Sequence, residues 1–394
     1  MYSKIKSINI LGVTGSVGLC AVDVIASAPE KFEVHYVTAF RNVNALVAQA
    51  IKLKAKCAVI GDKKYFADLK EALSGTSIKA EAGEGALMAA ASTPVDCTLV
   101  AIVGMAGLKP TLAAIRNSKI VAVANKEPLV AAGPLVMREA ERSGTKILPV
   151  DSEHNAIFQV FDFDRPEGIR KIILTASGGP FRTWTREQMS KATREQALIH
   201  PNWSMGPKIT VDSATMMNKA LEIIEAHYLF NMPPEKIDVL VHPQSVVHSM
   251  VEYKDGSVLA QMGASDMRTP VAHALGWPDR IETPGQTLDW KKMKELTFEQ
   301  PDFDRFPALG FAYDSLKAGV SSCVALNAAN EVAVESFLNK TIGFVDIMEV
   351  VGYTLSHSSR ERIDTIDDFT AYDGVARRIA SAYIDTLNKQ KIRI

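Results

Sequence analysis

Residues 7–26 read SINILGVTGSVGLCAVDVIA. Ser7 to Leu11 is a short apolar run, GVTGSVG is a glycine turn, and Leu19 to Ala26 has the apolar content of a packed helix. Strand, glycine turn and helix in that order are the opening step of a doubly wound parallel sheet. The glycines fall at 12, 15 and 18, which is not G-x-G-x-x-G spacing, yet the physics is shared. Backbone without a Cβ lets a pyrophosphate approach a helix N-terminus. A glycine turn required only for tight packing would read the same way.

Downstream, strand signals at 32–38, 57–61, 96–103, 120–124 and 146–150 alternate with helical patterns at 108–117 and 129–143. The alternation predicts an α/β fold with a Rossmann-like N-terminal domain over residues 1–150. From about Asp151 it stops, and residues 151–280 read as a central α+β domain. Its strands are expected at 171–175, 236–242, 246–253 and 257–262. Asp255-Gly256 between the last two is a hairpin signal, and an uncovered edge of this sheet would suit pairing with a second subunit. Residues 281–307, with Pro284, Pro301 and Pro307 and few periodic apolar residues, read as a linker. Helical patterns at 308–319, 324–339, 345–357 and 366–388 predict a C-terminal four-helix bundle over 308–394.

Composition narrows the function classes. A net charge of -1 over 394 residues gives no electrostatic case for nucleic acid or an anionic membrane surface. Apolar runs stay short of the roughly 20 residues of a membrane span. The N-terminus enters a strand at once, leaving no room for a targeting peptide. Cys20, Cys57, Cys97 and Cys323 are scattered without pair spacing. Neither a disulfide framework nor a zinc site follows, and a cytoplasmic protein is expected.

The strand at 32–38 ends in Ala39-Phe40-Arg41-Asn42. An acid for a ribose 2′-hydroxyl is missing there, and Arg41 could meet a 2′-phosphate, which favours NADP over NAD. Two polar clusters, Asn125-Lys126-Glu127 and Asp151-Ser152-Glu153, follow strands at their carboxyl ends, where open α/β sheets bind ligands. Asp151 and Ser152 could equally cap a helix, although capping does not call for Glu153 as well. At positions i and i+2 of an extended strand end, Asp151 and Glu153 point the same way, and Glu222 could complete a three-carboxylate site. All-oxygen ligation suits Mg2+ or Mn2+.

The stretch HPNWSMGPKITVDSATMMNKALE, residues 200–222, reads in its second half as a helix entered near Ser213. Asn218, Lys219 and Glu222 then share a face. A solvated surface helix would also carry such residues. With Ser177 of the Ser177-Gly178-Gly179 loop, the donors His200, Ser213, Asn218 and Lys219 make an anion site. Thr185 and Gln188 form a capping box in the segment 177–207. That segment is expected to be a lid closing Trp203 and Met205 over a substrate, or to use Trp203 as a plain packing anchor. His242, His248 and His273 lack metal spacing and read as structural. Together these residues imply metal-assisted reduction of a phosphorylated hydroxycarbonyl compound.

The motifs GVTGSVG, NKE, PVDSEHNAIFQ, SGGPFR, HPNWSMGPKITVDSATMMNK, VHPQSVVHSMV, DGSVLAQ, DMRTP and ALNAANEVAV stand in one order along the chain. This ordered set resembles the 1-deoxy-D-xylulose 5-phosphate reductoisomerase family. The resemblance implies NADPH-dependent isomerisation and reduction of that substrate to 2-C-methyl-D-erythritol 4-phosphate by a homodimer, the committed step of the non-mevalonate isoprenoid route. By it, Asp151, Glu153 and Glu222 are the ligands of Mn2+ or Mg2+, with Co2+ a further candidate. Lys126, Ser152 and Glu153 contact the substrate's hydroxyls and carbonyl. Ser177, His200, Ser213, Asn218 and Lys219 hold its phosphate end. Lys126, Glu153 and His200 are the catalytic candidates. NADPH falls on Thr14, Gly15, Ser16, Val17, Arg41, Asn42, Asn125, Glu127 and Gly206. Phe40, Ala176 and Ala220 depart from the family's small residue and two glycines, which bears on fine tuning of these contacts. Two rivals stand: a semialdehyde-type reductase, which needs an activated cysteine, and a catalytically silent NADPH sensor.

Overall fold

A computed structural model describes residues 5–392. The chain begins β1 (Lys6–Leu11), α1 (Ser16–Ser27), β2 (Phe32–Ala39), α2 (Val43–Lys52), β3 (Cys57–Ile60), α3 (Phe66–Ala72), β4 (Lys79–Ala82) and α4 (Glu84–Ser92). It continues β5 (Val95–Val100), α5 (Leu108–Asn117), β6 (Ser118–Val123), α6 (Glu127–Ser143) and β7 (Lys146–Pro149). These seven strands form one sheet in the order β4-β3-β2-β1-β5-β6-β7, every pair parallel. The order reverses between β1 and β5, which is where open sheets of this kind leave a crevice for ligands. The helices α2, α3 and α4 and the strand β4 escaped the sequence reading. β4, KAEA, is a short edge strand whose polar residues carry no apolar pattern.

Next come α7 (Ser152–Val160), β8 (Ile169–Ala176), α8 (Arg186–Ser190), α9 (Arg194–Ala197), α10 (Pro207–Ala214), α11 (Met217–Phe230), β9 (Ile237–Val241), β10 (Val247–Tyr253) and β11 (Val258–Met262). The second sheet has the order β11-β10-β8-β9, with β10 antiparallel to β8 and β11 and β9 parallel to β8. Gly256 turns the β10–β11 hairpin at φ +90°, and Tyr253 N donates to Ser257 O at 2.8 Å. The chain closes with α12 (Arg268–Gly276), α13 (Ala308–Ala318), α14 (Val320–Leu338), α15 (Asp346–His357) and α16 (Ile366–Ile392). No helix among the described residues is long and apolar enough to cross a membrane.

The chain folds as two compact units. One runs through Pro128 and takes in Val136–Phe158 and Asp266–Thr287. Its core packs Ile8, Ile10, Val37, Leu99 and Leu148 of the sheet with Val22, Ile25 and Leu46 of the helices and Val271 and Leu275 of α12. Lys6 Nζ donates to the carbonyls of Leu275 (3.1 Å), Gly276 (2.9 Å) and Trp277 (2.5 Å), so the orphan acceptors at the end of α12 are met by a cation on β1. The other unit comprises Leu129–Leu135, Gln159–Ser265 and the chain from Leu288 onward. There the segment 288–307 has one bridge to the sheet, Glu299 N to Val241 O at 2.8 Å.

Two local expectations are corrected. Ser213 does not open a helix; it lies in the last turn of α10, and Met216, at φ +62°, breaks the chain before α11 starts at Met217. A left-handed residue cannot continue a right-handed helix. Asp151 to Glu153 is not an extended strand end either. Asn155 N donates to Asp151 O at 2.8 Å, so the chain has already turned into α7 and Glu153 sits in its first turn. The alternation of a strand therefore does not govern how these two carboxylates point.

Candidate active site

The glycine turn is built from two kinds of glycine. Gly12 has φ +97°, and a Cβ there would lie 2.5 Å from Ala101 O; a Cβ on Gly18 would lie 2.3 Å from Gly12 O. Both positions need the bare backbone for packing. Gly15 is different: its Cβ would meet only Gly12 O at 3.6 Å, an ordinary contact, and Gly15 and Ser16 are exposed. No side chain caps α1, whose first turn begins at Ser16 and Val17, so its N–H groups face outward beside Thr14. A dinucleotide pyrophosphate fits that donor set.

At the end of β2, the parallel register sets Asp62 beside Phe40 through Asp62 N to Phe40 O at 2.9 Å. Arg41 Nε reaches Asp62 Oδ2 at 3.0 Å, and its guanidinium lies 4.7 Å from the Phe40 ring centre. Phe40, one of the departures, is thus the platform under Arg41. Asp62 was not legible in the sequence, because it follows the neighbouring strand. Asn42 Oδ1 accepts from Ala45 N at 3.0 Å and caps α2.

Between β6 and α6 the cluster 125–127 is buried. Asn125 has neither side-chain polar atom paired, an arrangement that a ligand's polar edge would satisfy. Glu127 opens α6, and Lys126 Nζ pairs with Asp151 Oδ2. Ser152 Oγ donates to Glu153 Oε2 at 2.6 Å, and Asp151 and Glu153 present ligand oxygens within 4.8 Å of each other.

In the other unit, Ser177 Oγ lies 2.9 Å from His200 Nε2 and accepts from Gly179 N at 3.2 Å. His200 Nδ1 accepts from Asn202 N (3.1 Å) and Trp203 N (2.9 Å). Backbone N–H groups only donate, so Nδ1 is unprotonated, the proton is on Nε2, and Ser177 accepts from it. The Ser177 hydroxyl hydrogen is left to point at an acceptor, as an anion would supply. Gly179, at φ +66°, rests on Ser213: a Cβ there would lie 2.5 Å from Ser213 O. Ser177, His200 and Ser213 are therefore in one place. On α11, Asn218 Nδ2 donates to Glu222 Oε1 and Lys219 Nζ lies 2.5 Å from Glu222 Oε2, with Lys219 and Glu222 buried. The shared face expected of these three residues is present. Ala176 ends β8, Ala220 is buried within α11, and Gly206 is the N-cap of α10, where a Cβ would meet open space.

Other side chains singled out in the sequence have these surroundings. Thr185 and Gln188 form the capping box, and a second, Thr193 with Gln196, was not read from the sequence. Trp203 is half-buried, 6.1 Å from the His248 ring. His242 bonds Thr297 O at 2.9 Å through Nδ1 and accepts from Val246 N, and His273 bonds Asn155 Nδ2 at 3.0 Å, so both are structural. All four cysteines are free, and burial pushes the Cys97 and Cys323 thiols up to about 12. Burial of this kind is the opposite of the polar, activating setting that the semialdehyde-type reading asks of Cys97 or Cys323.

Comparison with known proteins bears on the same residues. The family model described as 1-deoxy-D-xylulose 5-phosphate reductoisomerase matches residues 8–133. Models of the C-terminal domains of that enzyme match residues 147–230 and 262–379. The 1-deoxy-D-xylulose 5-phosphate reductoisomerase of Rhodospirillum centenum is 57% identical over 380 residues, 96% of this chain and 94% of its own length. The structure of the Zymomonas mobilis reductoisomerase in complex with NADPH superposes with a TM-score of 0.92 at 50% identity, covering 97% of this chain and 99% of that one. A DOX-P reductoisomerase in complex with NADPH, fosmidomycin and magnesium also gives 0.92, at 40% identity, covering 97% of this chain and 99% of that one. Matched by these models across both units, and by relatives of its own length, the chain belongs to the 1-deoxy-D-xylulose 5-phosphate reductoisomerase family.

Proposed function

We infer that this chain converts 1-deoxy-D-xylulose 5-phosphate to 2-C-methyl-D-erythritol 4-phosphate with NADPH and a divalent metal ion, the committed step of the non-mevalonate isoprenoid route. The observation that carries the reading is that one unit holds an open glycine turn on a helix N-terminus and the carboxylates Asp151 and Glu153, while the other holds a cluster of anion donors. Family membership supports it. We propose Asp151, Glu153 and Glu222 as the metal ligands, since an all-carboxylate set suits Mn2+ or Mg2+. A divalent ion there would polarise neighbouring hydroxyl and carbonyl oxygens of the substrate.

The chain's own residues do the rest. Lys126, held by Asp151, presents an ammonium to the carbonyl end, and Ser152 and Glu153 take the hydroxyls. Ser177, His200, Ser213, Asn218 and Lys219 grip the phosphate and so orient the carbon skeleton. Its isomerisation by cleavage and rejoining of a carbon bond precedes reduction by NADPH. The cofactor would lie on Thr14, Gly15, Ser16, Val17, Arg41, Asn42, Asn125, Glu127 and Gly206. Functionally we divide the chain into an NADPH domain (1–150), a catalytic and dimerising domain (151–280) with a lid (177–207), a linker (281–307) and a helical domain (308–394). We propose a cytoplasmic homodimer; a solution mass equal to one chain would remove the dimer.

The test is loss of NADPH absorbance with 1-deoxy-D-xylulose 5-phosphate, with Mn2+ or Mg2+ and again with excess chelator. Oxidation that needs both substrate and metal is expected. No oxidation, with NADPH still bound in a titration, would overturn the assignment and favour the sensor reading.

A further inference from the structure

Asp212 is 1% exposed and stands on α10 one residue before Ser213. Its Oδ1 accepts from Asn330 Nδ2 at 2.8 Å, and its Oδ2 lies 3.0 Å from Lys208 Nζ, one turn back on the same helix. Asn330 is wholly buried in α14. A carboxylate accepts, so the Asn330 amide is fixed with its nitrogen toward Asp212. Enclosing a carboxylate between helices is unfavourable unless it is hydrogen-bonded, and an apolar pair would join two helices at least as well. What the polar pair adds is direction: it allows one placement of α10 along α14.

That placement is read directly at the anion donors. Gly179 rests on the Ser213 carbonyl and on Ala214 Cα, the last turn of α10, and the Gly179 N–H holds Ser177 Oγ. Thr215 Oγ1 donates to Asp212 O at 3.2 Å, and the left-handed Met216 then directs the chain into α11, which carries Asn218 and Lys219. A slip of Asp212 would move Ser213, the Ser177-Gly178-Gly179 loop and the start of α11 together.

We propose that Asn330 is a positioning residue for the substrate's phosphate: by holding Asp212, it fixes the spacing of the anion donors, so that the C-terminal helices take part in substrate selection. This rests on the reading of Ser177, Ser213, Asn218 and Lys219 as phosphate donors. It also assigns a role to the ALNAANEV motif, which the catalytic assignment leaves unused.

The test uses full-length protein and four variants: N330A, D212N, the exchange D212N/N330D, and S213A as reference. KM for 1-deoxy-D-xylulose 5-phosphate, kcat, NADPH affinity and unfolding midpoint are read for each. N330A, which removes the bond, is expected to raise KM about tenfold, and D212N, which keeps an acceptor for Asn330 but loses its charge, by a smaller factor, with kcat and NADPH affinity within about twofold. The exchange, which restores an amide-to-carboxylate bond with the roles reversed, should return KM to within about threefold of wild type. Should N330A fail to fold, the isosteric D212N and the exchange carry the comparison. A raised KM in S213A with none in N330A or D212N overturns the positioning role, whereas an unchanged KM in S213A overturns the phosphate reading itself. Parallel losses of kcat and NADPH affinity that follow the unfolding midpoint, without recovery in the exchange, would reduce the pair to a structural contact.

Discussion

Three side chains allow sharp expectations at the scale of one residue. Glu222 is buried with Asn218 and Lys219 on its oxygens, so Glu222→Gln keeps the shape while removing a ligand charge. Turnover should fall by more than the roughly 10–100-fold that follows loss of a metal's outer partner, with NADPH binding intact; an active variant would sink the metal assignment. Arg41 is aimed by Asp62 and by the Phe40 ring. Arg41→Ala should weaken NADPH about tenfold or more and leave NADH nearly unchanged, and equal effects on the two cofactors would remove the 2′-phosphate role. His273 carries a pH dependence: burial lowers its pKa from 6.5 to about 4. The unfolded chain then binds the proton more readily, so the neutral ring's contribution is complete above about pH 6.5 and is lost as pH falls through about 4. His273→Gln should flatten that part of the stability profile, measured by denaturant midpoints from pH 7 to pH 4; an unchanged slope would count against it.

At the scale of elements, the glycine turn divides into packing and access. Gly18→Ala forces a Cβ into the Gly12 carbonyl and should lower stability by about 1–3 kcal/mol, visible as an earlier unfolding transition. Gly15→Ala has room for its methyl and should leave that transition in place while raising KM for NADPH. Identical behaviour of the two variants would argue against this division. Most elements were legible because their periodicity is strong: α5 begins and ends where the pattern does, and β1, β2 and α13 lie within one or two residues of expectation. Elements without a periodic signal were not. β4 is polar, α9 is a single short turn, and the break at Met216 depends on one residue's φ, which a methionine does not announce; α8, equally short, was legible only through its Thr185–Gln188 capping box.

At the scale of the whole molecule, the segment between Arg182 and Lys208 carries His200 and Trp203, and the reading of it as a lid predicts ligand-dependent protection. Trypsin cleavage there should slow several-fold when substrate and NADPH are bound, followed by mass spectrometry of the fragments. Equal cleavage with and without ligands would leave Trp203 as a packing anchor. The second sheet bears on assembly in the same way, since β11 is an edge with Val258 and Leu259 about half exposed. A charged substitution at Leu259 is a direct probe of whether that edge is covered in solution.

Composition and element order were enough for the α/β class, because local propensity and hydrophobic period are written residue by residue, whereas the family and the reaction it implies came from the resemblance carried by the ordered motifs. Candidate ligands could be named for the same reason: carboxylates and donors are visible as types. Their partners were not. Asp62 meets Arg41 only because parallel register aligns the ends of β2 and β3, and Asn330 meets Asp212 across 118 residues of chain. The tautomer of His200 depends on two backbone amides whose direction is set by the turn at Asn202 and Trp203. Such contacts arise from packing between elements distant in sequence, and a linear pattern holds no distance between them.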